Sequence, residues 1–126
     1  MRVKYELEYT LKCSPKVLFS RLSTPEGLSE WFADDVTLNS GSYIFHWNKT
    51  QSEARLTAIK ENKLVRFEWN DHPDPESGYF EFRIVVHDIT GDVALIITDF
   101  AESDEKEDAI YLWDTQINDL KRALGV

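Results

Sequence analysis

Asp99 is the residue of this sequence that most invites a chemical role. The stretch Ala94-Leu95-Ile96-Ile97-Thr98 is apolar almost to its end, and then a carboxylate falls on the strand face that carries Leu95 and Ile97. If that face points inward, Asp99 needs hydrogen-bond donors or a raised pKa, because an unpaired buried charge is costly. It can then orient a ligand hydroxyl or amine. If it lies at the strand's end instead, it is wet or pairs with Arg83 or Arg66. The remaining reactive side chains are scattered. His46, His72 and His87 are far apart, and His46 and His87 are out of phase with the apolar positions beside them. The sequence holds no Ser-His-Asp order with a nucleophile elbow, no phosphate-binding glycine loop and no HExxH pair. Cys13, the single cysteine, ends an apolar strand face and reads as a buried thiol rather than a nucleophile. Asp71, His72, Asp74 and Glu76 are metal-ligand types, but their spacing matches no calcium loop and the two prolines of "NDHPDPE" stiffen it. No metal and no cofactor is expected. One carboxylate without an evident partner is thin chemistry, so a cyclase or hydratase built on Asp99 ranks below a non-catalytic role.

Aromatic residues are the second chemical feature: four Trp, five Tyr and seven Phe in 126 residues. Each Trp is bulky and has an N–H that needs a partner, so four of them mean a heavily aromatic core or a lined pocket. Tyr43, Phe45 and Trp47 alternate along one stretch, Val65, Phe67 and Trp69 along another, and Phe80 and Phe82 along a third. In "STPEGLSEWFADD", Gly27 weakens a short helix by about 1 kcal/mol relative to alanine, and Trp31 and Phe32 stand at its end. A weak helix bearing two large rings suits a lid over an apolar cavity. The alternative is that both rings plug the core and Gly27 avoids a clash.

The elements that must position these residues follow from periodicity. Val3 to Cys13 alternates, with Tyr5, Leu7, Tyr9, Leu11 and Cys13 on one face of a strand. Ser14-Pro15 and Thr24-Pro25 each carry a helix-start signal, predicting two short helices, the second over residues 25–32. From Asp35 onward the chain reads as strands and turns: a hairpin around Asn-Ser-Gly-Ser, another around Glu-Asn-Lys, the loop "NDHPDPES", and a third hairpin at Thr-Gly-Asp. Residues 104–124 form a helix whose apolar stripe is Ile110, Trp113, Ile117, Leu120 and Leu124. Short turns between strands require an antiparallel sheet, and a long one-sided helix must bury its stripe on that sheet.

Bulk properties exclude several classes of partner. Fourteen Lys and Arg against 23 Asp and Glu leave a net charge of −9, which repels nucleic acid and anionic membranes. No apolar run approaches the roughly 20 residues of a membrane span, so no membrane insertion is expected. A lone cysteine and no signal-like segment point to the cytoplasm. The acids from Glu102 to Asp108 suit a helix start, or a basic partner.

A first strand followed by "SPKVLFSRLSTPEGLSEWF", a glycine turn into "GSYIFHW", a hairpin ending "LVRFEW" and a closing helix carrying "LW" resemble the START-like (SRPBCC, helix-grip) superfamily. Within it they look most like the small domains similar to the activator of the heat-shock-protein-ninety ATPase. The resemblance implies a sheet gripping a helix, and a cavity between them in which superfamily members hold lipids, sterols, polyketides or other hydrophobic molecules. The expected fold is α+β. A curved antiparallel sheet of six to seven strands wraps around a long C-terminal helix, with two short helices after the first strand, in a single domain over residues 1–126. The expected function is non-catalytic binding of a small hydrophobic molecule. Trp31, Phe32, Tyr43, Phe45, Trp47, Phe67, Trp69, Phe82 and Trp113 are its candidate contacts, with Asp99 as candidate polar anchor. The alternative is a protein-interaction module, co-chaperone-like or homodimerising, with no small-molecule ligand.

Overall fold

Alternation decides the first element. The computed structural model describes residues 1–74 and 76–126. Along β1 (Arg2–Leu11), Tyr5 and Leu11 are buried, Leu7 and Tyr9 are half-buried, and the charged residues between them face water. Ser14 then caps α1 (Pro15–Ser23), its hydroxyl accepting from the Val17 N–H at 3.2 Å. Thr24 repeats the device for α2 (Pro25–Leu28), accepting from the Gly27 N–H at 3.0 Å. These helices carry the chain from one edge of the sheet to the other. β2 (Asp35–Asn39), β3 (Ser42–Trp47), β4 (Thr50–Lys60), β5 (Leu64–Trp69), β6 (Tyr79–Val86) and β7 (Val93–Glu102) then meander back, until β7 pairs with β1. The seven-stranded sheet has the order β1-β7-β6-β5-β4-β3-β2, antiparallel throughout. A register shift between Leu56 and Ala58 bends β4 against β5.

α3 (Lys106–Leu124) buries Trp113, Ile117 and Leu120 and ends at Gly125, whose φ of 76° is the left-handed cap that glycine adopts without strain. Glu107 and Asp108 occupy its first turn and Lys121 and Arg122 its last, both matched to the helix dipole. The helix leans on β7 and β1, at one side of the sheet. Tyr9 helps hold it there, donating its hydroxyl to Asp114 Oδ1 at 2.6 Å. The centre of the core is a set of fully buried rings, Phe45, Phe67, Phe80 and Phe82, from β3, β5 and β6. Among the described residues, no helix is long and apolar enough to cross a membrane.

Two expectations change. The helix predicted over residues 25–32 stops at Leu28, because the Glu30 and Trp31 N–H groups tighten onto carbonyls three residues back, Gly27 at 3.2 Å and Leu28 at 3.4 Å, and Ala33 reaches back five to the same Leu28 carbonyl at 3.3 Å. Arg66 and Arg83 are not partners of Asp99. They lie on the opposite face of the sheet and hold the buried Glu81: Arg66 Nε and Nη2 donate to Oε1 at 3.0 and 2.8 Å, and Arg83 Nη2 to Oε2 at 3.0 Å. In the β5–β6 loop, Asp74 serves the loop itself, accepting from the Glu76 N–H and the Ser77 hydroxyl, each at 3.0 Å. Among the described residues no group of three His, Cys, Asp or Glu is placed to hold a metal. The second proline of that loop, Pro75, lies outside the described residues.

Gly27 also changes its meaning. A Cβ there would stand 2.7 Å from the Arg21 Cα and closer still to the Ser20 carbonyl oxygen. The missing side chain is what lets α2 press directly on the backbone of α1. Gly27→Ala therefore should not stabilise the short helix by its propensity gain of about 1 kcal/mol. Backbone atoms cannot step aside as a flexible side chain can, and overpacking should cost about 1–3 kcal/mol. A urea unfolding midpoint below the wild type's checks this; an unchanged or higher midpoint would contradict it.

Candidate functional site

α3 rests on the β7–β1 side of the sheet, so the rings at the ends of β3 and β5 have no helix directly above them. A pocket of about 360 Å³ opens in that gap. Phe32, at the end of the turn after α2, forms its floor. Trp47, Trp69 and Phe80 come from the strands, Ala109, Leu112, Trp113 and Gln116 from α3, and Asp99 from β7. Phe32 and Trp113 are buried, Trp47 and Trp69 are half-buried, and Leu112 at the mouth is exposed. The floor is pinned from two sides. The Phe32 carbonyl accepts from Trp47 Nε1 and from Gln116 Nε2, both at 2.9 Å, so sheet and helix grip the same backbone atom.

Asp99 points inward. Its Oδ1 accepts from the Phe100 N–H at 2.8 Å, and its Oδ2 from Trp113 Nε1 at 3.0 Å and the Tyr5 hydroxyl at 3.3 Å. Burial pushes its carboxyl above the ordinary aspartate value; the Phe100 N–H, the Trp113 indole, the Tyr5 hydroxyl and the more distant Arg2 pull it part of the way back. Burial, then the neighbouring Asp99 charge, raise the Tyr5 phenol well above its usual value, so Tyr5 stays a donor. A carboxylate offers about four acceptor sites. Three are filled here, and Oδ1 holds only one of them.

Phe32, Trp47, Trp69, Asp99 and Trp113 thus meet around one space. The other expected contacts sit elsewhere. Phe45, Phe67 and Phe82 are 0% exposed and pack behind the lining, because mid-sheet positions are covered by rings on every side. Tyr43 is buried too, and its hydroxyl donates to the Ser23 carbonyl at 2.8 Å, tying β3 to α1. Trp31 donates Nε1 to the Arg21 carbonyl at 2.8 Å and stands 5.6 Å from Phe82, ring centre to ring centre. Trp31 and Phe32 are only 4% and 5% exposed and pack into the core, and Phe32 also borders the pocket. Ala109, Leu112 and Gln116 were not expected. Their positions around Trp113 on one helix are the signal that would have found them. A wider depression of about 850 Å³ lies between Pro15 and the β4–β5 turn, but Lys60, Glu61, Lys63, Arg83 and Asp88 line it with solvated charge.

A family model described as a START-like superfamily domain matches residues 1–126. Among solved structures, a Bacteroides fragilis protein determined by NMR in solution is 39% identical, with a TM-score of 0.68 over 98% of this chain and 91% of that one. The Aha1 dimer from Colwellia psychrerythraea is 21% identical, with a TM-score of 0.77 over 97% of this chain and 96% of that one. A crystal structure from Mesorhizobium loti is 18% identical, with a TM-score of 0.75 over 98% and 97%. The last two are likenesses of fold. No curated protein matches the chain.

Asp99 carries a pH signature with a definite sign. Its pKa is raised in the fold, so the folded state keeps a proton that the unfolded chain has released. The stability this adds is complete below the ordinary value of 3.8 and is lost as pH rises through the folded value. Denaturation midpoints of the wild type should therefore fall relative to Asp99→Asn across that rise and level off above it. Trp113→Phe keeps a ring against Phe32 but removes a donor from Oδ2. The Asp99 titration, followed by its carboxyl-carbon chemical shift, should then move to higher pH.

Proposed function

We propose that this chain, which belongs to the START-like superfamily, binds a small hydrophobic molecule in the pocket between the sheet and α3 without transforming it. The observation that carries the reading is the lining. Five aromatic rings, from Phe32, Trp47, Trp69, Phe80 and Trp113, border the space, and among the described residues Asp99 is its only ionisable group. A volume of about 360 Å³ is in the range of small-molecule sites, about 300–1,000 Å³, which combine apolar walls with a few placed polar groups. Trp47 and Trp69 are half-buried, so a guest gains by completing their burial, at about 25 cal/mol per Å² of apolar surface removed from water. The less occupied Oδ1 of Asp99 offers an acceptor for a ligand donor. Catalysis is disfavoured because Asp99 already holds three donors and no second acid or base lines the pocket beside it.

A second reading, an interaction module, has its own observation. Tyr111 and Leu112 are 73% and 57% exposed on α3, next to the pocket mouth, and the Colwellia protein of the same fold is a dimer. A second copy of this chain covering these two residues would make the surface homodimeric. Sedimentation of the wild type against Leu112→Glu separates the readings, since only a dimer through this face is split by the added charge.

Native mass spectrometry of freshly purified protein tests the binder directly. The expected result is a retained non-covalent mass of a small apolar compound, absent in Ala109→Trp, whose indole fills the pocket from α3. A wild-type spectrum with no adduct, together with Trp emission unmoved by any added apolar compound, would end the reading.

A further inference from the structure

The pocket's donors and acceptors are unequally spent, and that imbalance narrows the ligand. The indole N–H of Trp47 and the side-chain amide of Gln116 are directed at the Phe32 carbonyl, and the indole N–H of Trp113 at Asp99. An anionic or carbonyl-bearing guest finds these three donors engaged. No Lys, Arg or His is among the described lining residues. Besides the Trp69 indole N–H and the second amide hydrogen of Gln116, what remains on offer is negative: aromatic faces and the carboxylate of Asp99.

The rings are arranged closely. Phe32 stacks at 5.3 Å on Phe80 and at 5.7 Å on Trp113, Trp47 meets Phe32 edge-on at 5.7 Å, and Trp69 lies 5.0 Å from Phe80. Aromatic faces are the negative part of the ring quadrupole, and Trp is the ring that attracts cations best. Resting on the binder reading above, we propose that the pocket selects an organic cation, an ammonium group seated among Trp47, Trp69 and Trp113 beside Asp99, with its apolar body extending towards Leu112.

The physical reason lies in what each kind of guest does to Asp99. A neutral hydrophobe removes the last water from a carboxylate and returns no charge, which opposes its own binding. A cation supplies the opposite charge at the point where water leaves, and the rings add their own attraction. The net charge of −9 also favours the approach of cations over anions.

Three benzyl probes test the proposal by Trp emission and calorimetry: benzyltrimethylammonium, its uncharged isostere neopentylbenzene, and the anion phenylacetate. Benzyltrimethylammonium should bind about tenfold more tightly than neopentylbenzene, the scale of one desolvated cation–π contact, and phenylacetate should not bind. Asp99→Asn should remove about tenfold of the cation's affinity and leave the neutral probe's affinity equal or higher, since the cost of desolvating the charge is lifted. Trp69→Leu, made independently, should shrink the same preference. Equal affinity for cation and isostere, or a preference untouched in both variants, overturns the cation while the binder reading stands. A wild-type pocket that takes none of the three overturns both.

Discussion

The Phe32 backbone carbonyl is the point on which the architecture turns. It takes one donor from β3, through Trp47, and one from α3, through Gln116. The ring of the same residue packs against Trp31, Phe45, Trp47, Phe80, Phe82 and Trp113. A carbonyl at the end of a short turn would otherwise be a buried acceptor in need of a partner. Here its two partners also fix how far α3 can stand from the sheet on that side. The same middle stretch of α3 is tied to β7 through Trp113 and Asp99 and to β1 through Asp114 and Tyr9. The helix is therefore fixed from both sides at its middle, which keeps it from settling onto β3 and β5 and leaves the space above Trp47 and Trp69.

Close packing and an open pocket coexist because they belong to different parts of one ring network. Phe45, Phe67 and Phe82 have neighbours on every side, and interiors of that kind pack at crystal-like density. Trp47 and Trp69 end their strands and lack helix cover on one face. Bulky rings at such positions cannot collapse into the gap, since Trp47 is tethered by its own N–H to Phe32 and Trp69 is wedged against Phe80 and Phe45. The hollow is a consequence of stiff, anchored side chains rather than of missing ones.

The fold was readable from the sequence because its signals are local. Alternation along β1, the Ser14 and Thr24 caps, the hairpin turns and the α3 stripe each depend on residues a few positions apart. The site was only partly readable, because it depends on where one element leans on another. Alternation places Phe45 and Trp47 on one face but does not say that Phe45 is covered and Trp47 is not. Gly27 is the sharpest case. Read alone it is a helix-weakener suited to a lid, whereas the close backbone of Ser20 and Arg21 makes it a packing contact. Asp99 likewise has no nearby sequence mark of its side-chain partners, since Trp113 is 14 positions away and Tyr5 94.

Two acids of this sheet are withdrawn from water, and their different treatment separates structure from function. Glu81, on the outer face, is 4% exposed and is held by two guanidinium groups, with its charge balanced inside the protein. Such a group is complete and asks nothing of a ligand. Asp99, on the inner face, is held only by neutral donors, an amide, an indole and a phenol. Hydrogen bonds of that kind orient a carboxylate and offset part of its desolvation, but they leave its net charge in place. If Asp99 served only to anchor α3 through Trp113, a neutral acceptor would do so without the cost of burying charge. An acid kept at the edge of an aromatic pocket, with neutral donors and only the more distant Arg2 as counter-charge, is the feature that supports the proposed cationic guest.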